Sequence, residues 1–210
     1  ELWRELPERV VAICVVADDR PGLLSCISAA LVADRIDVVS AHAYCRTRAD
    51  GSVEAVDFLW IRKLPGPRGL LSPIRAKDIP AIAESIERAI VEGAPPAPSS
   101  AQIRSDERKP VPDGATARVR FETNEKDGAT ILTVEAVDRP GLLLAVTQAL
   151  FRASVQIVGL RATTEDGRAV DRFTLAESDG RPLRRDRLLS LQAAVLGAIL
   201  YAGKLPVEVE

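Results

Sequence analysis

The hexapeptide Asp19-Arg20-Pro21-Gly22-Leu23-Leu24 recurs letter for letter as Asp138-Arg139-Pro140-Gly141-Leu142-Leu143. Each copy joins a β-branched apolar run to an amphipathic run, and the copies are here called the first loop and the second loop. They lie 119 residues apart, counted from Asp19 to Asp138. This period is too long for a solenoid unit and suits two copies of a small α+β domain. The chain is therefore interpreted as a tandem repeat whose function is expected at the repeated loop.

The composition of the loop predicts a strand-to-helix connection with free backbone amides. Proline favours the first turn of a helix, the aspartate two residues earlier can accept hydrogen bonds from unpaired amides, and glycine permits close approach of backbone or ligand. The partial positive charge at a helix N-terminus favours a bound carboxylate or phosphate by roughly 0.3 to 1 kcal/mol. Helix capping alone is the simpler explanation for a single copy. Two identical copies favour binding of a small anionic ligand.

Length, charge and hydropathy exclude several classes of protein. The chain has 210 residues, of which 47% are hydrophobic, so each repeat can bury a core of its own. A formal net charge of −2, with acids and bases interspersed, gives no electrostatic basis for binding nucleic acid or an anionic membrane. No apolar run reaches the roughly 18 residues that span a bilayer, and no signal peptide is evident. A cytoplasmic location is expected.

The cysteines and the first residue also carry information. Cys14, Cys26 and Cys45 are odd in number and lack Cys-x-x-Cys spacing, which indicates buried thiols and neither disulfides nor a zinc site. The sequence starts at Glu1 and contains no methionine, so we expect a fragment of a longer protein or a chain whose start is missing.

Hydrophobic periodicity predicts the same order of elements in both repeats. In repeat one we expect strands at 10–17, 36–45 and 53–63 and helices at 23–34 and 78–92. In repeat two we expect strands at 131–137, 155–164, 169–177 and 205–209 and helices at 142–153 and 184–201. The last strand of repeat one is predicted at 115–123, after a segment at 93–113 that is rich in Pro, Ala and Ser and is expected to be a mobile loop.

These motifs resemble a known family. A βαββαβ unit with this hexapeptide after its first strand is similar to the ACT domain, a small-molecule sensing module of amino-acid metabolism. Repeat two carries the more specific motifs: Val-Glu-Ala-Val-Asp-Arg-Pro-Gly-Leu-Leu at 134–143, Leu-Arg-Ala-Thr-Thr at 160–164, Val-Asp-Arg-Phe at 170–173 and Asp-Gly-Arg-Pro-Leu at 179–183. Together they resemble the C-terminal ACT pair of bacterial PII-protein uridylyltransferase/uridylyl-removing enzymes. The chain departs from that family in inserts at 64–76 and 93–113.

The resemblance implies the fold, the domains and the ligand. It implies an α+β chain of two ferredoxin-like βαββαβ ACT domains, at 1–123 and 124–210, each an antiparallel sheet with helices on one face. It also implies that the pair senses an amino acid, glutamine in that family, and regulates nitrogen metabolism. The partners would be the catalytic domains of a parent uridylyltransferase, or a separate protein.

Catalytic motifs are missing from this sequence. A nucleotidyltransferase would need a Gly-Ser element followed by an Asp-x-Asp pair for two metal ions, and neither is present. A His-Asp phosphohydrolase or a Ser-His-Asp triad would have to rely on His42, the only histidine. We therefore expect no catalytic residue, no metal and no cofactor in this chain.

The expected binding residues are those of the two loops together with one arginine. They are Asp19, Arg20, Gly22, Leu23, Asp138, Arg139, Gly141, Leu142 and Arg161. An amino acid would place its carboxylate on the amides of one loop and contact the second strand of the other repeat. Arg161 occupies the position of His42 in the other repeat and could meet a ligand carboxylate, although an exposed, solubilising arginine is the simpler interpretation.

The third strand of each repeat suggests further contacts. Val56, Phe58 and Trp60 would form an outward apolar face that needs a cover: the other repeat, a second chain in a homodimer, a missing catalytic region, or the long loops. Asp57 and Asp171 would lie on the inner face, where a structural hydrogen bond is expected.

Two other functions remain open from the sequence. A free-standing tandem ACT regulator, similar to repressors of glycine cleavage, would bind a protein partner and never be attached to an enzyme. A pure oligomerisation module would use both loops only as helix caps and would ignore amino acids.

Overall fold

The computed structural model describes residues 9–66, 72–93, 117–124 and 128–201. Within these residues the chain forms seven strands and four α-helices. In chain order they are β1 (Val11–Asp18), α1 (Leu23–Ala33), β2 (Ile36–Thr47), β3 (Val53–Lys63), α2 (Ile79–Glu92), β4 (Arg118–Thr123), β5 (Thr130–Val137), α3 (Leu142–Arg152), β6 (Val155–Glu165), β7 (Arg168–Glu177) and α4 (Leu188–Tyr201). The sequence located these elements to within a few residues, and the two βαββα series are confirmed.

All seven strands belong to one antiparallel sheet, in the order β1-β3-β2-β6-β7-β5-β4. The helices contact each other in the order α2-α1-α3-α4. The buried core between the two layers is continuous across both repeats, and it includes Ile27, Leu59, Leu132 and Phe173. The architecture is α+β and is consistent with ferredoxin-like folds.

The two repeats meet where β2 pairs with β6. His42 lies directly opposite Arg161, and Ala41 lies opposite Ala162. Since His42 and Arg161 are the same position in the two repeats, the sheet has a local twofold axis between them. This symmetry places each hexapeptide loop beside the second strand of the other repeat.

The placement of one predicted strand is wrong. The sequence assigned 115–123 to repeat one, but β4 pairs with β5, from Arg118↔Glu135 to Thr123↔Thr130. The Gly128 amide donates to Asn124 O at 2.8 Å, so the two strands form a local hairpin. Closing a short connection loses less conformational entropy than closing one that returns across the segment after α2. Strand β4 therefore borders the first strand of repeat two.

Several predictions concern residues outside the described part of the chain. These are the final strand at 205–209, most of the segment at 93–113, and residues 67–71 of the insert at 64–76. Among the described helices, none combines the length and the apolar character that crossing a bilayer requires.

Candidate functional site

Both loops turn sharply into a helix at glycine. Gly22 has φ 81° and Gly141 has φ 79°, a left-handed conformation that glycine adopts without strain. Each helix begins with nearly the same bonds: Cys26 N–H donates to Gly22 O at 2.9 Å, and Ala145 N–H donates to Gly141 O at 2.9 Å. Neither helix has a side-chain cap, so the expectation that the loop aspartate caps the helix is not met. The Leu23 and Leu142 amides, two of the donors expected to meet a ligand carboxylate, instead donate to the carbonyls of Arg20 and Arg139 at 3.2 Å.

Each loop opens onto a cavity at the junction of the two repeats. The first junction cavity, of about 30 Å³, lies between the first loop, α3 and the start of β6. The second junction cavity, also of about 30 Å³, lies between the second loop, α1 and the start of β2. The predicted arrangement of a loop beside the second strand of the other repeat is therefore observed twice. Eight of the nine predicted site residues belong to the two loops.

A pair of carboxyl groups lies in the first junction cavity. Asp19 accepts a hydrogen bond from Gln156 Nε2 at 2.9 Å, and it also interacts with the Cys45 thiol. Asp57 is 3% exposed, and none of the described residues donates a hydrogen bond to its carboxyl. Burial, and secondly the charge of Asp19, raise the pKa of Asp57 to about 7. The inner location of Asp57 was predicted correctly, but the expected structural hydrogen bond is not found.

The second junction cavity repeats this pair with different neighbours. Asp138 interacts with the side chain of Thr164, and Asp171 is 3% exposed. Burial, and secondly the charge of Asp138, raise the pKa of Asp171 to about 7. At the position of Gln156 stands Asp37, which Arg62 neutralises through two hydrogen bonds of 2.9 and 3.2 Å. The second cavity therefore has one more acidic wall group than the first.

The two loop arginines have different surroundings. Arg139 donates to the carbonyl of Ile199 near the end of α4, and burial lowers the pKa of its guanidinium. Arg20 approaches the end of α2 at Gly93, but its buried Nη2 has no hydrogen-bond acceptor among the described residues. The Oγ of Ser25, in the first turn of α1, is likewise buried without a partner.

A phenyl ring distinguishes the two loops sterically. A Cβ added to Gly22 would meet Cδ2 and Cε2 of Phe151 at 2.7 Å, whereas one added to Gly141 would meet nothing within 4 Å. Val32 lies at the position of Phe151 in the other repeat, and its side chain is smaller. Phe151 therefore closes one side of the first junction cavity, and the second stays more open at its glycine.

Arg161 is not brought together with either loop. It is exposed, it pairs across strands with His42 and with Arg172, and it lines an open cavity of about 520 Å³ on the sheet face opposite the helices. On the same face, His42 packs edge-on against Trp60 with ring centroids 5.3 Å apart. The apolar face predicted from the third strand thus exists, and it is half-buried by its own aromatic pairs.

Sequence reasoning missed several cavity residues because they lie outside the hexapeptides. They are Ser25, Asp37, Cys45, Thr147, Phe151 and Gln156. Applying the 119-residue offset to the start of the second strand would have paired Gln156 with Asp37 and indicated an asymmetric site. No group of three or more His, Cys, Asp or Glu side chains suited to a metal ion occurs in the described ranges. The cavities offer donors and acceptors for a small polar molecule.

Several known proteins that are similar to this chain carry the same name. A bifunctional uridylyltransferase/uridylyl-removing enzyme of Gluconobacter oxydans is 30% identical over 208 residues, which cover 94% of this chain and 20% of the enzyme. The enzyme of the same name from Rhodospirillum rubrum is 29% identical over 211 residues, covering 96% of this chain and 21% of the enzyme. The enzyme of the same name from Phenylobacterium zucineum is 28% identical over 198 residues, which cover 90% of this chain and 20% of the enzyme. The chain matches no protein-family model.

These matches confirm the resemblance inferred from the motifs. The chain is similar, along nearly its whole length, to a part of uridylyltransferase/uridylyl-removing enzymes. It spans about a fifth of the length of the curated relatives it matches.

Proposed function

We propose that this chain is the amino-acid-sensing regulatory region of a bifunctional uridylyltransferase/uridylyl-removing enzyme, with glutamine as its ligand. Similarity over 94–96% of the chain to enzymes of that name supports the parent protein. The twin ACT-like repeats support the sensing role. The catalytic motifs sought in the sequence are missing from this chain, so the proposal assigns the chemistry to other domains. In this proposal those catalytic domains, in the cytoplasm, are the partners that receive the signal.

One observation carries the sensing function. Each duplicated loop faces the second strand of the other repeat across a cavity. A ligand in either cavity therefore touches both repeats at once. Its binding changes how the repeats dock, and thereby the surface that the sheet and helices present to the rest of the enzyme.

The binding free energy that this mechanism requires is modest. A metabolite bound with a Kd near 1 mM gains about 4 kcal/mol, so a coupling of roughly 1 to 3 kcal/mol is the realistic scale. Only a difference in affinity between two docking states can shift the equilibrium between them, because a ligand that binds both states equally leaves their populations unchanged.

The other two functions receive less support. A free-standing regulator would be similar in length to its relatives, whereas the curated relatives are about five times longer than the matched part. An oligomerisation module would use the loop aspartates as helix caps, and neither helix has a side-chain cap.

Calorimetric titration of the 210-residue chain tests the proposal. L-glutamine, L-glutamate, glycine and L-serine are titrated separately, with D-glutamine as the stereochemical control. We expect saturable binding of L-glutamine with a Kd between about 0.1 and 10 mM and at least tenfold weaker binding of D-glutamine. No heat of binding with any of these amino acids would leave the oligomerisation module as the better explanation.

A further inference from the structure

Strand β1 lies at one edge of the sheet, and no described residue pairs with its outer side. Its counterpart in repeat two is β5, since the 119-residue offset converts Val11–Asp18 into Thr130–Val137. The outer side of β5 is covered by β4. Repeat two therefore has the order ββαββα, from β4 to α4, whereas the described part of repeat one begins one strand later, at β1.

Strand β1 lacks the features that protect an edge strand from further pairing. It is eight residues long, pairs with β3 without a bulge, and carries no charged side chain before Asp18. Natural edge strands are usually short, charged or interrupted, because their open N–H and C=O groups otherwise recruit another strand. The opposite edge of the sheet follows this rule, since Arg118, Arg120 and Glu122 alternate along the six residues of β4. The composition of β1 is that of an inner strand.

The turn before β1 repeats the turn between β4 and β5. Gly128 has φ 72°, and its amide closes the hairpin by donating to Asn124 O at 2.8 Å. Arg9, which lies 119 residues earlier, has φ 62°, although a positive φ is unfavourable for a residue with a side chain. The chain thus enters β1 and β5 through a left-handed residue at the same position.

We propose that residues 1–4 form an edge strand antiparallel to β1, and that this strand closes repeat one as β4 closes repeat two. The 119-residue offset makes Glu1 to Arg4 the counterparts of Arg120 to Thr123. In the register of β4 and β5, Leu2 would lie opposite Ile13 and Trp3 opposite Ala12. The hairpin supplies backbone hydrogen-bond partners for the outer side of β1.

The side chains of this segment suit the two faces of the sheet. Leu2 is the counterpart of Phe121, which packs against the core on the helix side. Trp3 would take the outer face opposite Ala12, whose partner on the other side is Trp60. Large aromatic side chains pack well against small cross-strand neighbours, and Ala12 leaves room for an indole on either side. An apolar residue on each face thus meets a strand that is apolar on both faces.

This edge strand would fix how the region is attached to the proposed parent enzyme. The chain that precedes Glu1 in that enzyme would enter the sheet directly, and β1 leads from there to the first loop. A change in how the repeats dock at the first loop would then reach the preceding region through one hairpin. This consequence rests on the proposed function, whereas the hairpin itself requires no ligand.

Amide hydrogen exchange, resolved by NMR, tests the hairpin in the 210-residue chain. The test amides are those between Val11 and Cys14 that do not donate to β3, and the control amides are those of β5 that face β4. We expect both sets to exchange at least about 100-fold more slowly than in the unfolded chain. Removal of residues 1–8 should bring the test amides within about tenfold of the unfolded rate and leave the control amides protected.

Two substitutions at Arg9 repeat the test in a chain of full length. Arg9→Pro fixes φ near about −65° and excludes the observed turn, so it should expose the test amides as the truncation does. Arg9→Gly allows a positive φ and should keep them protected. Protection of the control amides verifies in the same spectrum that each variant is folded.

Four results would overturn the inference. They are rapid exchange of the test amides in the unchanged chain, protection that survives removal of residues 1–8, protection that survives Arg9→Pro, and protection that rises with protein concentration, which would assign the edge to a second copy. None of these results depends on amino-acid binding. The proposed function therefore stands or falls separately, by the calorimetric titration.

Discussion

Gln156 Nε2 donates a hydrogen bond of 2.9 Å to Asp19 Oδ2, which joins the start of β6 to the first loop across 137 residues of sequence. In the second junction cavity the corresponding position is Asp37, which cannot donate to Asp138 and is held by Arg62. The same backbone arrangement is thus closed by a hydrogen bond from an uncharged amide in one cavity and by a partly buried ion pair near an aspartate in the other.

Removal of the Gln156 amide should loosen the junction. Gln156→Leu leaves the half-buried Asp19 carboxylate without this donor, and we expect the free energy of unfolding to fall by about 1–3 kcal/mol. Urea denaturation measures the change. Ser190→Ala, which removes an exposed hydroxyl bonded to Arg187 O, serves as the control and should stay within about 0.5 kcal/mol. Equal stabilities of the two variants would contradict the role of this bond.

The raised pKa of Asp171 predicts how stability depends on pH. The folded protein keeps the proton on this carboxyl up to about pH 7, whereas the unfolded chain loses it near the ordinary value of 3.8. The contribution to stability is therefore full below pH 3.8 and is lost as the pH rises to about 7. The loss reaches up to about 4 kcal/mol for one such group.

Asp171→Asn isolates this contribution. The charged groups around Asp171 are Asp138, with Asp37 and Arg62 behind it, and they stay in place in the variant. We expect the variant to be more stable than the wild type at pH 8, by at least about 1 kcal/mol, and to show no gain at pH 4. Urea denaturation at both pH values provides the comparison, and a gain of the same size at both would refute the assignment.

Alanine should be tolerated differently at the two loop glycines. Both Gly22 and Gly141 have a positive φ, which costs an alanine about 1–2 kcal/mol. At Gly22 the new methyl group would also lie 2.7 Å from two ring carbons of Phe151, while at Gly141 the space is open. We expect Gly22→Ala to lower the thermal midpoint more than Gly141→Ala, with an extra cost of about 1–3 kcal/mol. Equal shifts would show that the ring moves aside freely.

The ion pair of Arg62 and Asp37 should matter more than a surface pair. Asp37 is 5% exposed, so Arg62→Ala leaves a buried carboxylate unpaired, and we expect a loss of about 2–4 kcal/mol. The control is Arg88→Ala, which breaks an exposed contact of 3.3 Å with Glu84 and should cost under about 0.5 kcal/mol. Similar losses in the two variants would argue against burial as the cause.

Local patterns predicted the elements well because each is encoded within a short stretch. Alternation located β3 at 53–63 without error, and the turn before it is closed by Gly51 N–H, which donates to Arg48 O at 3.0 Å. Pairing between strands was less predictable. Strand β4 was assigned to the wrong repeat because periodicity identifies a strand and leaves its partner open.

In the candidate site, too, the local loop geometry was predictable and the spatial neighbours were not. The hexapeptides led directly to both cavities, because a loop's backbone geometry follows from its own Pro and Gly. Arg161 was placed near the ligand from its position in the repeat, and it lies on the opposite sheet face, because alternate residues of a strand point to opposite sides.

The sequence by itself determined that the chain is a tandem repeat with two strand-to-helix loops, because identical residues at a constant offset impose the same local geometry twice. Only the tertiary structure decided that each loop faces the other repeat, that Asp57 and Asp171 are buried without a donor among the described residues, and that Arg20 differs from Arg139. Those differences depend on neighbours more than a hundred residues away in the chain, such as Gln156 beside Asp19, and packing alone brings such neighbours together.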